Sequence, residues 1–189
     1  ACIFFTSCDT KSEINKAQTV NSVLGDISYV EKFGVSPDRF TDEQTRIKTH
    51  LQYVEKLLRQ KDITDLSIEI QKKRLAIIDL LHNYWMEGVF PVNYDHLNER
   101  SPCFIDKHGN ICAVGYLVEH TVGREVADKI NSSYKYTLIK VMKLPELAQL
   151  VLKSGLTLNE CAMIQPSYTP PIPPTANHIE PSYGISSWI

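Results

Sequence analysis

Cys112 is the residue whose neighbours best equip it for chemistry. It stands between a short apolar stretch and the helix-forming run Ala113-Val114-Gly115-Tyr116-Leu117. At that junction the positive end of a helix can stabilise a thiolate, and His108 or His120 could act as its base. This is the composition of a thiol enzyme, with Cys112, His108 and His120 as its candidate catalytic residues. Cys103 offers a competing fate. If Asp106 to Gly109 form a four-residue loop, Cys103 lies directly opposite Cys112 on two short strands, and a disulfide would consume the nucleophile. A turn shifted by one or two residues separates the pair, so both states of Cys112 stay open.

A second constellation gathers Asp95, His96, His108 and His120, with Asn98, Asp106 and Glu119 nearby in sequence. Oxygen and imidazole donors from a loop, a hairpin and a helix are a possible divalent-metal set. Their spacing is not that of a known ligand motif, and Glu119 and His120, as neighbours, project about 100° apart on a helix. The chain contains no His-Glu-x-x-His, no Walker loop, no Cys-x-x-Cys and no Gly-x-Ser-x-Gly, so no strong catalytic signature and no cofactor is implied. A net charge of −2 gives no general attraction to phosphates, and nucleic acid is not an expected partner.

The elements that must position these residues are mostly helical. With 189 residues, 43% of them hydrophobic, the chain can bury one sizeable core. Thr41-Asp42-Glu43-Gln44 reads as a capping box, and Ile47, Leu51, Val54 and Leu58 recur at helical spacing, which predicts a helix ending near Gln60. A second helix is expected from Thr64 or Ser67 to Glu87, with Leu66, Ile70, Ile77, Leu81 and Trp85 near one face and Gly88 as its stop. Lys56, Arg59, Lys61, Lys72, Lys73 and Arg74 read as the solvated faces of this pair, with contact to acidic lipid headgroups or a partner as the other reading, and Arg100 reads as a tie of the following loop to Asp95 or as a group binding a carboxylate. Beyond Gly88, residues 103 to 112 suggest a small β-hairpin and Ala113 to Glu119 a buried short helix. Thr121 is expected to cap another through Ile130, Pro145 to open one running to Lys153, and Thr157-Leu158-Asn159-Glu160 to cap the last. The fold class expected is therefore mainly α (α+β): an antiparallel helical hairpin, a small β-hairpin, several short helices and a Pro-rich C-terminal tail.

Outside that body the composition changes. Ile3-Phe4-Phe5 followed by Thr6-Ser7-Cys8 resembles the end of a bacterial lipoprotein signal, in which small residues precede a cysteine that is acylated. The resemblance implies lipidation of Cys8, a membrane partner reached through that anchor, and a place in the bacterial cell envelope on the periplasmic or surface face of an outer membrane. The other reading packs Ile3, Phe4 and Phe5 into the domain. On the first reading residues 1–8 are the signal remnant, 9–40 a tether and irregular segment, 41–168 a single helical domain, and 169–189 a proline-rich tail. Cys161 then reads as a buried core thiol. The tail's prolines favour extended backbone, and the apolar residues that follow, Tyr183, Trp188 and Ile189 among them, either fold back on the domain or contact an envelope protein partner.

A longer pattern runs through the domain: Phe90-Pro91-x-Asn93, then Pro102-x-Phe104-x-Asp106-x-x-Gly109-x-x-Cys112-Ala113-Val114-Gly115-x-Leu117, then Leu156-Thr157 through Ala162-x-Ile164-Gln165-Pro166-Ser167-Tyr168. It resembles a pattern in uncharacterised secreted bacterial proteins, which implies an exported domain and supplies no catalytic residue. The function expected is thus that of a non-catalytic accessory or interaction subunit. The alternative is a small enzyme built on Cys112 with a histidine, or on a metal held within residues 95 to 120.

Overall fold

Asp42, Ser67 and Thr157 each place a side-chain oxygen where the first free amides of a helix need an acceptor, taking hydrogen bonds from the Thr45, Ile70 and Glu160 amides. A computed structural model describes residues 18–143 and 145–171. Within them the helices are α1 (Ile27–Phe33), α2 (Glu43–Gln60), α3 (Ile68–Glu87), α4 (Ala113–Thr121), α5 (Arg124–Tyr134), α6 (Pro145–Ser154) and α7 (Leu158–Ile164), with a 3-10 turn over Ile139–Val141. The protein is mainly helical, as its periodicity suggests.

Helices α2 and α3 form the expected antiparallel pair. Arg59 near the end of α2 bonds Asp79, whereas Glu55, a turn earlier, bonds Trp85, a turn and a half later on α3. The buried stripes are Ile47, Leu51, Val54 and Leu58 on one helix and Ile77, Ile78, Leu81 and Trp85 on the other. Helix α4, apolar through Val114, Leu117 and Val118, packs against α3, α5, α6 and α7 and lies at the centre of the core. Burying side chains of this size stabilises the fold by about 1.5–3 kcal/mol each.

Several local expectations are corrected. The cap of α2 is Asp42, because the Thr41 hydroxyl is engaged with Asp38. Thr121 ends α4 instead of capping α5, which starts after Gly123 without a side-chain cap. The core also reaches upstream of residue 41. Val20 is fully buried, and the Asn21 amide donates to the carbonyls of Ala162, Met163 and Gln165. Part of the expected irregular segment is helical, as α1.

Arg74 is the largest departure. Its sequence neighbours group it with solvated charges, yet its side chain is 1% exposed and pairs with Glu160 through Nη2 at 2.8 Å and Nη1 at 3.0 Å. Its Nη1 also donates to the Gly155 carbonyl, and Lys61 reaches the same carboxylate. This cluster fastens α3 to the cap of α7, where Glu160 also closes the expected capping box with Thr157.

The expected β-hairpin is reduced to a single antiparallel bridge between Ile105 and Ile111. Asp106 sets that register. Its Oδ1 accepts the amides of His108 and Asn110 at 2.8 and 3.0 Å, and its Oδ2 accepts the Asn110 side chain and the Val92 amide. Holding both amides makes the loop one residue longer than the four-residue reading, with Gly109 at φ 86 completing the reversal. Cys112 then donates its amide to the Phe104 carbonyl instead of facing Cys103.

Candidate functional site

The loop, bridge and helix N-terminus bring Cys112 to the place where a catalytic thiol was expected. It is the N-cap of α4, and its Sγ accepts the Gly115 amide at 3.3 Å. Gly115 is required by the same closure, since a Cβ there would lie 2.6 Å from Ile111 Cγ1 and 3.2 Å from the Phe104 ring. The surroundings are wrong for catalysis. Burial pushes the Cys112 thiol up to about 12 in spite of the helix amide, so at neutral pH it is a thiol and not a thiolate. Cys103 and Cys161 are likewise buried, free and pushed up to about 12 by burial.

Neither histidine is placed as a base for Cys112. His108 lies against the ring of Tyr94, with centroids 5.4 Å apart. His120 sits at the opposite end of α4, stacked on Tyr116 with its Nδ1 2.9 Å from the Tyr116 carbonyl. The metal set is dispersed in the same way. Asp95 pairs with Lys135 at 3.2 Å, and His96 packs edge-on against Tyr136. Among the described residues no group of three or more His, Cys, Asp or Glu side chains is close enough to hold a metal ion.

The long sequence pattern is consumed by the scaffold. The buried Asn93 side chain donates to the carbonyls of His96 and Glu99 and so holds the loop after α3. Gln165 bonds the Ile139 amide and the Thr137 carbonyl, tying the end of α7 to the 3-10 turn. Tyr168 is buried and exchanges backbone hydrogen bonds with Ser101. Tyr84, stacked near Phe90 and Tyr116, donates its hydroxyl proton to the Ile111 carbonyl.

Among the described residues lies a cleft of about 1100 Å³ that the sequence did not reveal. Four separated stretches build it: Gln18, residues from Pro37 to Ile47, residues from Pro91 to Arg100, and Thr169 to Pro171. Phe40, 79% exposed, and Leu97, 64% exposed, stand at its sides with Tyr94, Pro170 and Pro171. Arg100 grips Glu43 with both Nη atoms at 2.7 Å and also donates to the Ser167 carbonyl, while the Thr169 amide reaches the same carboxylate. Arg46 pairs with Asp26. The two buried cations of the cleft are therefore already neutralised by the protein itself. Nothing in the sequence marks Phe40 and Leu97 as exposed, and only the tertiary fold puts them on one groove.

Cys8, Tyr183, Trp188 and Ile189 lie outside the described residues. No known protein family, curated protein or solved structure matches the chain.

Proposed function

We propose that the chain is a lipid-anchored protein of the bacterial cell envelope, held to a membrane through Cys8, that serves a membrane-associated assembly as a non-catalytic accessory or interaction subunit. The observation that carries this reading is the cleft. Its exposed apolar and aromatic side chains, Phe40 and Leu97 with Tyr94, stand among charged ones such as Asp38, Arg39 and Asp42, and its deep guanidinium groups already have carboxylate partners. Such a groove suits an apolar segment of a partner better than a reacting polar group, because exposed aromatic and aliphatic side chains contribute most when a partner desolvates them.

The flanking sequence supports the same reading. Thr6-Ser7-Cys8 after an apolar run has the order of a lipidation site, and in the sequence a proline-rich stretch precedes Tyr183, Trp188 and Ile189, the residues proposed as partner contacts. The thiol alternative draws little support from a buried Cys112 raised to about 12 with both histidines engaged elsewhere.

The test is purification of the full chain from its native membranes in gentle detergent, followed by mass spectrometry. A companion protein is expected in near-stoichiometric amount. It should be lost with Leu97→Asp in the cleft and retained with Cys112→Ala in the core. A companion-free protein in both cases contradicts the proposal.

A further inference from the structure

Thr169, Pro170 and Pro171, the last of the described residues, line the cleft themselves. Their course is fixed just before they reach it. Ser101 and Tyr168 exchange backbone hydrogen bonds, Arg100 donates to the Ser167 carbonyl, and the Thr169 amide donates to Glu43 Oε1 at 3.2 Å. Residue 172 therefore starts at the wall of a groove in which Phe40 and Leu97 are exposed.

We infer that in the isolated chain this cleft is filled by the chain's own next segment, residues 172–189, with Tyr183 and Trp188 as its anchors. Two observations select that occupant. The first is the tether. A segment joined to the wall of a groove is present there at an effective concentration of about millimolar, and any separate molecule must outbind it. Length allows the return, since the ten residues from 172 to 181 alone reach roughly 33 Å when extended. The second is composition. Asp38 and Asp42 line the cleft together with Arg39, so a strongly charged occupant of either sign meets repulsion. Residues 172–189 contain no Lys or Arg and one acidic side chain, Glu180, whereas Ile172, Ile179, Tyr183, Ile185, Trp188 and Ile189 are apolar. Aromatic anchors of this kind contribute most when a groove desolvates them. The contact is self-blocking. An apolar segment of a companion reaches the cleft by displacing residues 172–189, and the displaced Tyr183 and Trp188 are then free to touch that companion. The inference goes beyond the accessory role and does not require it, because it concerns the chain alone.

The experiment uses the purified full chain with Cys8→Ser, which needs no detergent. The chain has two tryptophans, so subtracting the emission of a Trp188→Phe variant isolates that of Trp188. Its emission is expected to be blue-shifted and shielded from acrylamide. Phe40→Ser with Leu97→Asp, both exposed positions, should abolish the shielding and leave the circular dichroism spectrum unchanged. Sedimentation should give a monomer at every dilution. A Trp188 quenched in the native chain as fully as in urea overturns the inference, as does shielding indifferent to the Phe40 and Leu97 changes. Shielding that disappears on dilution together with a dimer also overturns it, because the occupant is then a second copy. The accessory role is tested separately by the companion protein in the membrane extract, so failure of the self-contact and failure of that role give different results.

Discussion

The Cys112 sulfur accepts the Gly115 amide at 3.3 Å, and this hydrogen bond turns the residue best placed by sequence for nucleophilic chemistry into the cap of the central helix. The feature that would activate a thiolate, a helix N-terminus, is present. Burial overrides it, because a charged sulfur has no water or cation to replace its hydration.

A native thiol titration reads this directly. Cys103, Cys112 and Cys161, all buried and raised to about 12, are expected to react slowly with a disulfide reagent at pH 7 and quickly once the chain is unfolded. Cys112→Ala should lower stability by about 1 kcal/mol or somewhat more through loss of the cap, without loss of any companion protein. A single fast-reacting Cys112 in the native protein would restore the enzyme reading.

Arg74 and Glu160 form a buried pair whose separation should be severe. Arg74→Met leaves the carboxylate buried with only the partly exposed Lys61 as its cation, and a loss of about 3–5 kcal/mol is expected in urea unfolding. The pH dependence has a defined sign. Burial raises the Glu160 carboxyl, but Arg74, the Thr157 amide and Lys61 more than offset it and hold the group at about 2, below its ordinary 4.5. The stabilisation is full above pH 4.5 and drains as pH falls toward 2, an effect absent from Glu160→Gln.

His50 adds a second acid-sensitive contribution in a different window. It is completely buried, its Nε2 lies 2.9 Å from the Met163 carbonyl, and burial lowers it from 6.5 to about 4 against the opposing pull of that carbonyl. The unfolded chain therefore takes up a proton between pH 6.5 and 4 that the folded chain refuses. Stability should be full above pH 6.5 and fall by up to about 3 kcal/mol as pH drops to 4. His50→Gln is expected to flatten that part of the curve, as measured by urea midpoints across the range.

The features legible in the sequence are those decided within about one helical turn. Ser67 and Gly88 bracket α3, Pro145 opens α6, and Thr157 with Glu160 caps α7, because each signal and its effect lie within a few residues. The misread features depend on distant partners. Arg74 looks like its solvated neighbours Lys72 and Lys73, and only the approach of α7 gives it Glu160. The hairpin register, open in the sequence to a shift of one or two residues, is decided by the Asp106 side chain, which counts the loop in place of strand pairing. The cleft was invisible for the same reason, since its four stretches meet only after α2, the loop following α3 and the end of α7 have packed. Of the long sequence pattern, Asn93, Asp106, Cys112, Gln165 and Tyr168 are buried in the scaffold, a role that depends on partners distant in sequence.

The central claim is that this domain is fixed to a membrane through Cys8, and the mass of the Cys8-containing peptide from protein extracted from native membranes tests it most directly. The result expected is Cys8 as the first residue, carrying a diacylglyceryl group on sulfur. An unmodified Cys8 within a longer intact peptide contradicts the account.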